Sequence, residues 1–158
     1  MLKKIISGGQ TGADRGALDA ALALGFECGG WCPRRRRAED GAIPARYPLQ
    51  EAPSARYPVR TRRNIEESDG TLIVARGALS GGTLVTARHA ERLGKPCLTL
   101  DPDGQPPGEM CRAAGAWLTD EGIEILNVAG PRRSSDPDIY RAVRNLVAGL
   151  IVSSRRRS

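Results

Sequence analysis

Leu2-Lys3-Lys4-Ile5-Ile6-Ser7-Gly8-Gly9-Gln10-Thr11-Gly12-Ala13-Asp14 is the stretch on which the fold turns. A short apolar run, Leu2 to Ser7, ends in a glycine-rich turn, and Ala17, Leu18, Ala21 and Leu22 then recur at helical spacing before Gly25. The order is strand, glycine loop, helix.

Downstream, the same alternation continues. Phe26 to Trp31 reads as a second strand, while residues 32–58 are rich in Pro, Arg and Gly, with Pro33, Pro44, Pro48, Pro53 and Pro58 expected to break regular structure. So long an irregular stretch inside one domain suggests a functional excursion. Thr61 to Glu67 predicts a short helix, Thr71 to Ala75 a buried strand, and Ser80-Gly81-Gly82-Thr83 a second glycine loop leading into a helix that ends at Leu93. Cys97 to Leu100 predicts a strand, Pro107 to Gly115 a helix, and Gly122 to Val128 a last strand, followed by a third loop, Gly130-Pro131-Arg132-Arg133. Ser135 or Asp136 then caps a helix with Pro137 in its first turn and an apolar stripe of Ile139, Val143, Leu146, Val147, Leu150 and Ile151. No internal repeat is present. Strands that are nearly all apolar, alternating with helices, predict an α/β fold: a mainly parallel sheet with helices on both faces, three layers in all. Right-handed crossovers put all three loops at the carboxyl edge of that sheet.

With 158 residues the chain is expected to form one ligand-binding domain over 1–152, followed by a basic, solvated tail over 153–158. Hydrophobic residues make up 40% and aromatics only 4%, so the core must come from Ala, Val, Leu and Ile. No apolar run is long enough for a membrane span, and the start of the chain is not read as a signal peptide. Cys28, Cys32, Cys97 and Cys111 show no paired CxxC spacing, which argues for reduced thiols, a cytoplasmic location and no metal site. The net charge of +6 sits largely in Arg34 to Arg37 and Arg155 to Arg157. With few aromatics for base stacking, an anionic small ligand explains it as well as nucleic acid does, and nucleic acid is disfavoured.

A glycine loop that feeds a helix N-terminus offers unpaired N–H groups and the positive end of the helix dipole, and phosphate is its natural guest. Three such loops point to one shared anion site. No Gly-Lys-Ser/Thr follows any of them, which argues against the usual NTP and magnesium arrangement. The first loop is G-G-x-x-G, and Cys32-Pro33-Arg34 stands where a dinucleotide site wants an acid for the ribose, so ordinary NAD binding is disfavoured too.

Six blocks carry a resemblance: Gly8 to Ala17, Gly29-Gly30-Trp31-Cys32-Pro33, Arg37 to Gly41, Ser68-Asp69-Gly70-Thr71, Gly81-Gly82-Thr83 with Thr86, and Asn127 to Arg132. Through them almost the whole chain resembles the family of molybdenum carrier proteins. That family is similar to proteins that hold molybdenum cofactor, a phosphate-bearing pterin (molybdopterin), without transforming it, and it belongs to a wider Rossmann-like group with lysine-decarboxylase-like phosphoribohydrolases and nucleotide-ligand sensors. Two departures stand out. Arg35 replaces a glycine usual in the family, and Arg133 stands where an acid often follows Gly-Pro-Arg. Both add positive charge.

The resemblance implies a binding role for molybdenum cofactor, or otherwise for a nucleotide or phosphate, a homo-oligomer such as a tetramer, and molybdoenzymes as partners. In the phosphoribohydrolases a glutamate follows the glycine-threonine turn; Thr86 stands there instead, and a hydroxyl neither stabilises an oxocarbenium-like centre nor acts as a base near neutral pH. Holding is therefore favoured over turnover, and no catalytic residue is assigned. Gly8, Gly9, Gln10, Thr11, Gly12, Asp14, Gly81, Gly82, Thr83 and Thr86 are the expected ligand-binding residues, with Arg37 and Arg132 supplying charge. Asp14 is either a helix-end carboxylate or a partner for a pterin or base edge or for a cation. Glu39 and Asp40 either neutralise the arginine run or orient Arg36 or Arg37. Cys32 is a structural thiol or a soft-metal contact, Trp31 is core or a stacking platform, and His89 is a surface or packing residue.

Overall fold

The computed structural model describes residues 1–158. Its elements, in chain order, are β1 (Lys4–Ile6), α1 (Ala13–Ala23), β2 (Cys28–Gly29), β3 (Trp31–Cys32), a 3₁₀ turn (Arg34–Arg36), β4 (Arg37–Ala38), β5 (Gly41–Ala42), β6 (Gln50–Glu51), α2 (Tyr57–Glu66), β7 (Gly70–Val74), α3 (Gly81–Arg92), β8 (Cys97–Leu100), α4 (Pro107–Asp120), β9 (Ile125–Ala129) and α5 (Ile139–Arg156). Five strands form one sheet in the order β2-β1-β9-β7-β8, and every pair in it is parallel. Ile5 lies beside Leu126, and Leu72 beside Val128, so the interior strands bring their apolar runs into register.

Helices flank the sheet as the alternation predicts: α1 and α4 pack on α5, and α2 packs on α3. The main core gathers Ile5, Leu72, Val74, Leu126 and Val128 from the sheet and the whole predicted α5 stripe, from Ile139 to Ile151. A smaller cluster of Leu18, Cys32, Ala38, Ile43 and Tyr47 sits under the 32–58 excursion. This Rossmann-like arrangement has a consequence for the site. The helix after β9, α5, packs with α1 and α4 on one face, and the helix after β7, α3, packs with α2 on the other, so the crevice at the carboxyl ends of those neighbouring strands is a topological switch point, where α/β sheets bind ligands.

Several elements differ from the sequence expectation. The predicted strand over Phe26 to Trp31 is two short strands, because Gly30 turns the chain at φ 127° and lies so close to β1 that a Cβ there would sit 2.3 Å from the Ser7 carbonyl oxygen. Helix α2 begins at Tyr57, four residues before the predicted Thr61, with Pro58 inside its first turn. Proline is tolerated there because the first N–H groups of a helix have no intrahelical acceptor. Helix α4 runs to Asp120, past the Gly115 expected to end it. Neither Ser135 nor Asp136 caps α5, which starts at Ile139 behind Asp138; Asp136 accepts the Asp138 N–H at 3.0 Å. At the other end α5 continues through Arg156, so the basic residues expected as a frayed tail are mostly its last turn, where cations complement the helix dipole. No helix is long and apolar enough to cross a membrane.

Candidate functional site

At the carboxyl edge of β7 and β9 a cavity of about 650 Å³ opens among all three predicted loops and the start of α2. Such a volume suits a small molecule of cofactor size. The loops converge because two glycines let them touch. A Cβ at Gly12 would stand 2.6 Å from the Pro131 carbonyl oxygen, and one at Gly130 would stand 2.4 Å from that of Val74.

Of the expected site residues, Gly8, Gln10, Asp14, Gly81, Gly82, Thr83, Thr86 and Arg132 line the cavity. Gly9, Thr11, Gly12 and Arg37 are not among its walls. Gly9 faces Ile43 and Leu49 of the excursion. The Thr11 hydroxyl hydrogen-bonds the Glu39 carboxylate and accepts the Arg133 N–H at 3.1 Å, so it binds the first loop to the third. Arg37 is exposed and lies over the ring of Tyr57, 4.6 Å from its centre; Tyr57 itself lines the cavity.

The glycine loops are not equivalent. In the first, the N–H of Gln10 goes to the Asp14 carboxylate (3.1 Å), that of Thr11 to the Gln10 side-chain oxygen (3.1 Å), and that of Ala13 to the Pro131 carbonyl (3.2 Å). Those three amides are engaged inside the protein, whereas the N–H groups of Gly8, Gly9 and Gly12 have no acceptor in it, and of these glycines Gly8 alone lines the cavity. In the second, Gly81 and Gly82 are not a loop ahead of a helix but its first turn. The N–H groups of Gly81, Gly82 and Thr83 have no acceptor in the protein, and no atom stands within 4 Å of where a Cβ would be on either glycine. The Thr83 side chain is buried at the same wall, whereas the Thr86 hydroxyl donates to the Gly82 carbonyl at 3.0 Å. The open amides and the dipole of α3 together can take an anion, the role that the sequence leads one to expect of all three loops.

Three arginines line the cavity: Arg60, Arg76 and Arg132. Arg76 donates to Asp136 (2.5 Å) and Asp103 (3.1 Å), and Arg132 faces Glu39 at 3.5 Å. Arg60 is different. It is 9% exposed, its one hydrogen bond is a long 3.4 Å contact to Asp14, and its buried Nε has no partner. Its place depends on Gly8, where a Cβ would sit 1.7 Å from Nη1 of Arg60. Burial pushes the Asp14 carboxyl up, and the Arg60 guanidinium and the Gln10 N–H oppose the rise.

Arg60, Arg76, Asn64 and Tyr57 went unrecognised in the sequence. The available signal was the spacing of Arg60 and Asn64, which at i and i+4 share one helix face and are both buried with Ile65. Glu39 and Asp40 orient neither Arg36 nor Arg37. Glu39 joins Thr11 to Ser134, accepting the Ser134 N–H (3.1 Å) and hydroxyl (2.5 Å), while Asp40 pairs with both terminal nitrogens of Arg15 at 2.6 and 2.8 Å. Arg36 instead donates to the carbonyls of Ile43, Pro44, Tyr47 and Leu49 and so shapes the excursion. Trp31 packs against the Arg63 guanidinium, Cys32 is buried in the smaller core, and His89, its pKa lowered by burial, lies on α3 away from the cavity walls. No group of three or more His, Cys, Asp or Glu side chains is placed to hold a metal ion.

The comparisons agree with the fold. No curated protein matches the chain. A crystal structure described as that of a "Putative molybdenum carrier protein" from Syntrophus aciditrophicus SB superimposes with a TM-score of 0.93 at 45% identity, covering 95% of each chain. The family model described as the circularly permutated YpsA SLOG family matches residues 5–151. With almost its whole length matched, the chain belongs to that family.

Proposed function

We propose that this protein binds and carries a phosphate-bearing small molecule in the cavity between β7 and β9, and that the molecule is molybdenum cofactor. The observation that carries the reading is the start of α3: three N–H groups without acceptors open on the same cavity as the under-used guanidinium of Arg60. The residues fit the phosphate of such a ligand. Gly81, Gly82 and Thr83 would hold it with their amides, Thr83 would add its hydroxyl, and Arg60 would supply charge. The carrier name of the Syntrophus structure supports molybdenum as the cargo. The metal would remain on the dithiolene of its own cofactor.

Nothing at the cavity wall supplies a carboxylate where the phosphoribohydrolases carry theirs, since Thr86 occupies that position and its hydroxyl is engaged with Gly82. The protein is accordingly read as a carrier. Incubated with a nucleoside 5′-monophosphate, it should bind the compound and return it intact, and Thr83→Ala should weaken binding roughly fivefold, the worth of one hydrogen bond of about 1 kcal/mol. Release of free base would overturn carriage in favour of a nucleotide-processing enzyme. The cytoplasm, a homo-oligomeric state and molybdoenzymes as recipients complete the proposal.

A further inference from the structure

Arg60 reaches the cavity from α2 by crossing over Gly8, and a guanidinium has five N–H donors. One of them makes a hydrogen bond, at 3.4 Å, to an Asp14 oxygen that is already shared with the Gln10 N–H. Arg36, by contrast, spends its donors on four carbonyls. Arg60 is thus ordered but weakly committed, and Asp14, 7% exposed in the first turn of α1, has no other cation so well placed. Its neighbour Arg15 adds some field, but that guanidinium is turned to Asp40 and to the Gly9 carbonyl. From the third loop, Arg132 faces Glu39 and Asp136 faces Arg76. Ser7 lies beside Asp14 from β1 and carries no charge.

We propose that Asp14 and the bound anion compete for Arg60, so that anion binding draws one proton from solvent onto Asp14. The inference rests on the reading that the cavity takes an oxyanion. An oxyanion with several acceptor oxygens makes shorter, charge-assisted bonds to a guanidinium than the single long contact it displaces. Once Arg60 is shared, Asp14 loses its counterion and gains a negative neighbour, and a buried carboxylate so placed favours its neutral form. The protonated carboxyl keeps accepting the Gln10 N–H and becomes a donor on the cavity wall.

The sign of the linkage is fixed. Asp14 titrates higher in the bound than in the free protein, so affinity is at its high plateau below the free-state midpoint. It falls by up to tenfold per pH unit between the two midpoints, and levels off above the bound one.

The test uses the intact protein and inorganic sulfate, a tetrahedral dianion that does not itself titrate over the range. Carboxyl carbon NMR should show the Asp14 midpoint moving up as sulfate is added, while the amide resonances of Gly81 and Gly82 report occupancy. Asp14→Asn should bind sulfate with little pH dependence, at an affinity near the wild-type low-pH plateau. Arg60→Gln should raise the Asp14 midpoint with no sulfate present. If sulfate moves the Gly81 and Gly82 amides but leaves the Asp14 midpoint in place or lowers it, the competition is overturned and the anion site stands. If it moves neither, the anion site of the proposed function falls. An unchanged Asp14 midpoint in Arg60→Gln overturns the competition without reference to any ligand.

Discussion

Gly8 and Arg60 are separated by 52 positions, yet each is explained by the other. The guanidinium occupies the space that any side chain at position 8 would need. Because the obstructing atom is the far end of a flexible chain, Gly8→Ala should displace Arg60 instead of breaking the core: stability should change by less than ~1 kcal/mol while anion affinity falls at least tenfold. Denaturant titration alongside sulfate binding separates the two effects. Arg35 gives a second residue-scale prediction. It adopts φ 64°, in the left-handed region that favours glycine. A left-handed backbone costs a non-glycine residue about 1–2 kcal/mol, so Arg35→Gly should stabilise the protein by up to ~1 kcal/mol once the extra freedom of the unfolded glycine is subtracted. A higher denaturant midpoint at unchanged slope is the expected result.

Among the elements, the 32–58 excursion is the one whose role emerges only in three dimensions. Glu39 latches it to the first and third loops, and its hydrogen bonds to Ser134 and Thr11 hold the carboxyl below its ordinary range. A carboxyl depressed in the folded state contributes stability that is present above its unfolded pKa and lost as pH falls through the folded one. Amide exchange in residues 36–51 should therefore accelerate selectively below the usual carboxylate range, and Glu39→Gln should show the faster exchange already at neutral pH. Equal exchange in the two proteins at neutral pH would remove the latch from the account.

The parallel sheet, the three converging loops and the α5 stripe were legible because each is written in local periodicity and in glycine placement. Thr83, Gly81 and Gly82 were singled out by the same route, and they line the cavity. Arg60 was not, because Pro58 was read as a breaker and the predicted helix began one residue beyond Arg60, and because its cradle, Gly8, lies in the loop after β1. Sequence shows which N–H groups the first loop offers but not that those of Gln10, Thr11 and Ala13 are taken by Asp14, Gln10 and Pro131 while those of Gly8, Gly9 and Gly12 are left without an acceptor. Glu39 eluded assignment for a similar reason: its partners, Thr11 and Ser134, lie 28 and 95 residues away.

At the scale of the molecule, the two ends of the chain meet. The Ser154 hydroxyl approaches the Leu2 carbonyl at 3.5 Å, and Ser158 reaches Met1. Adjacent ends are the physical condition under which a fold tolerates circular permutation, in keeping with the permutated family to which the chain belongs. The same architecture places the acceptor-free turn of α3 and Arg60 on one cavity at the switch point of the sheet, and the carrier reading depends on that placement.

Native mass spectrometry of the protein, isolated from cells that make molybdenum cofactor, tests the reading most directly. The account predicts a bound phosphate-bearing pterin that survives isolation intact, is lost in Arg60→Gln and is recovered at lower occupancy in Thr83→Ala. A bare protein mass that stays bare after incubation with the cofactor, or a cofactor recovered in cleaved form, would contradict it.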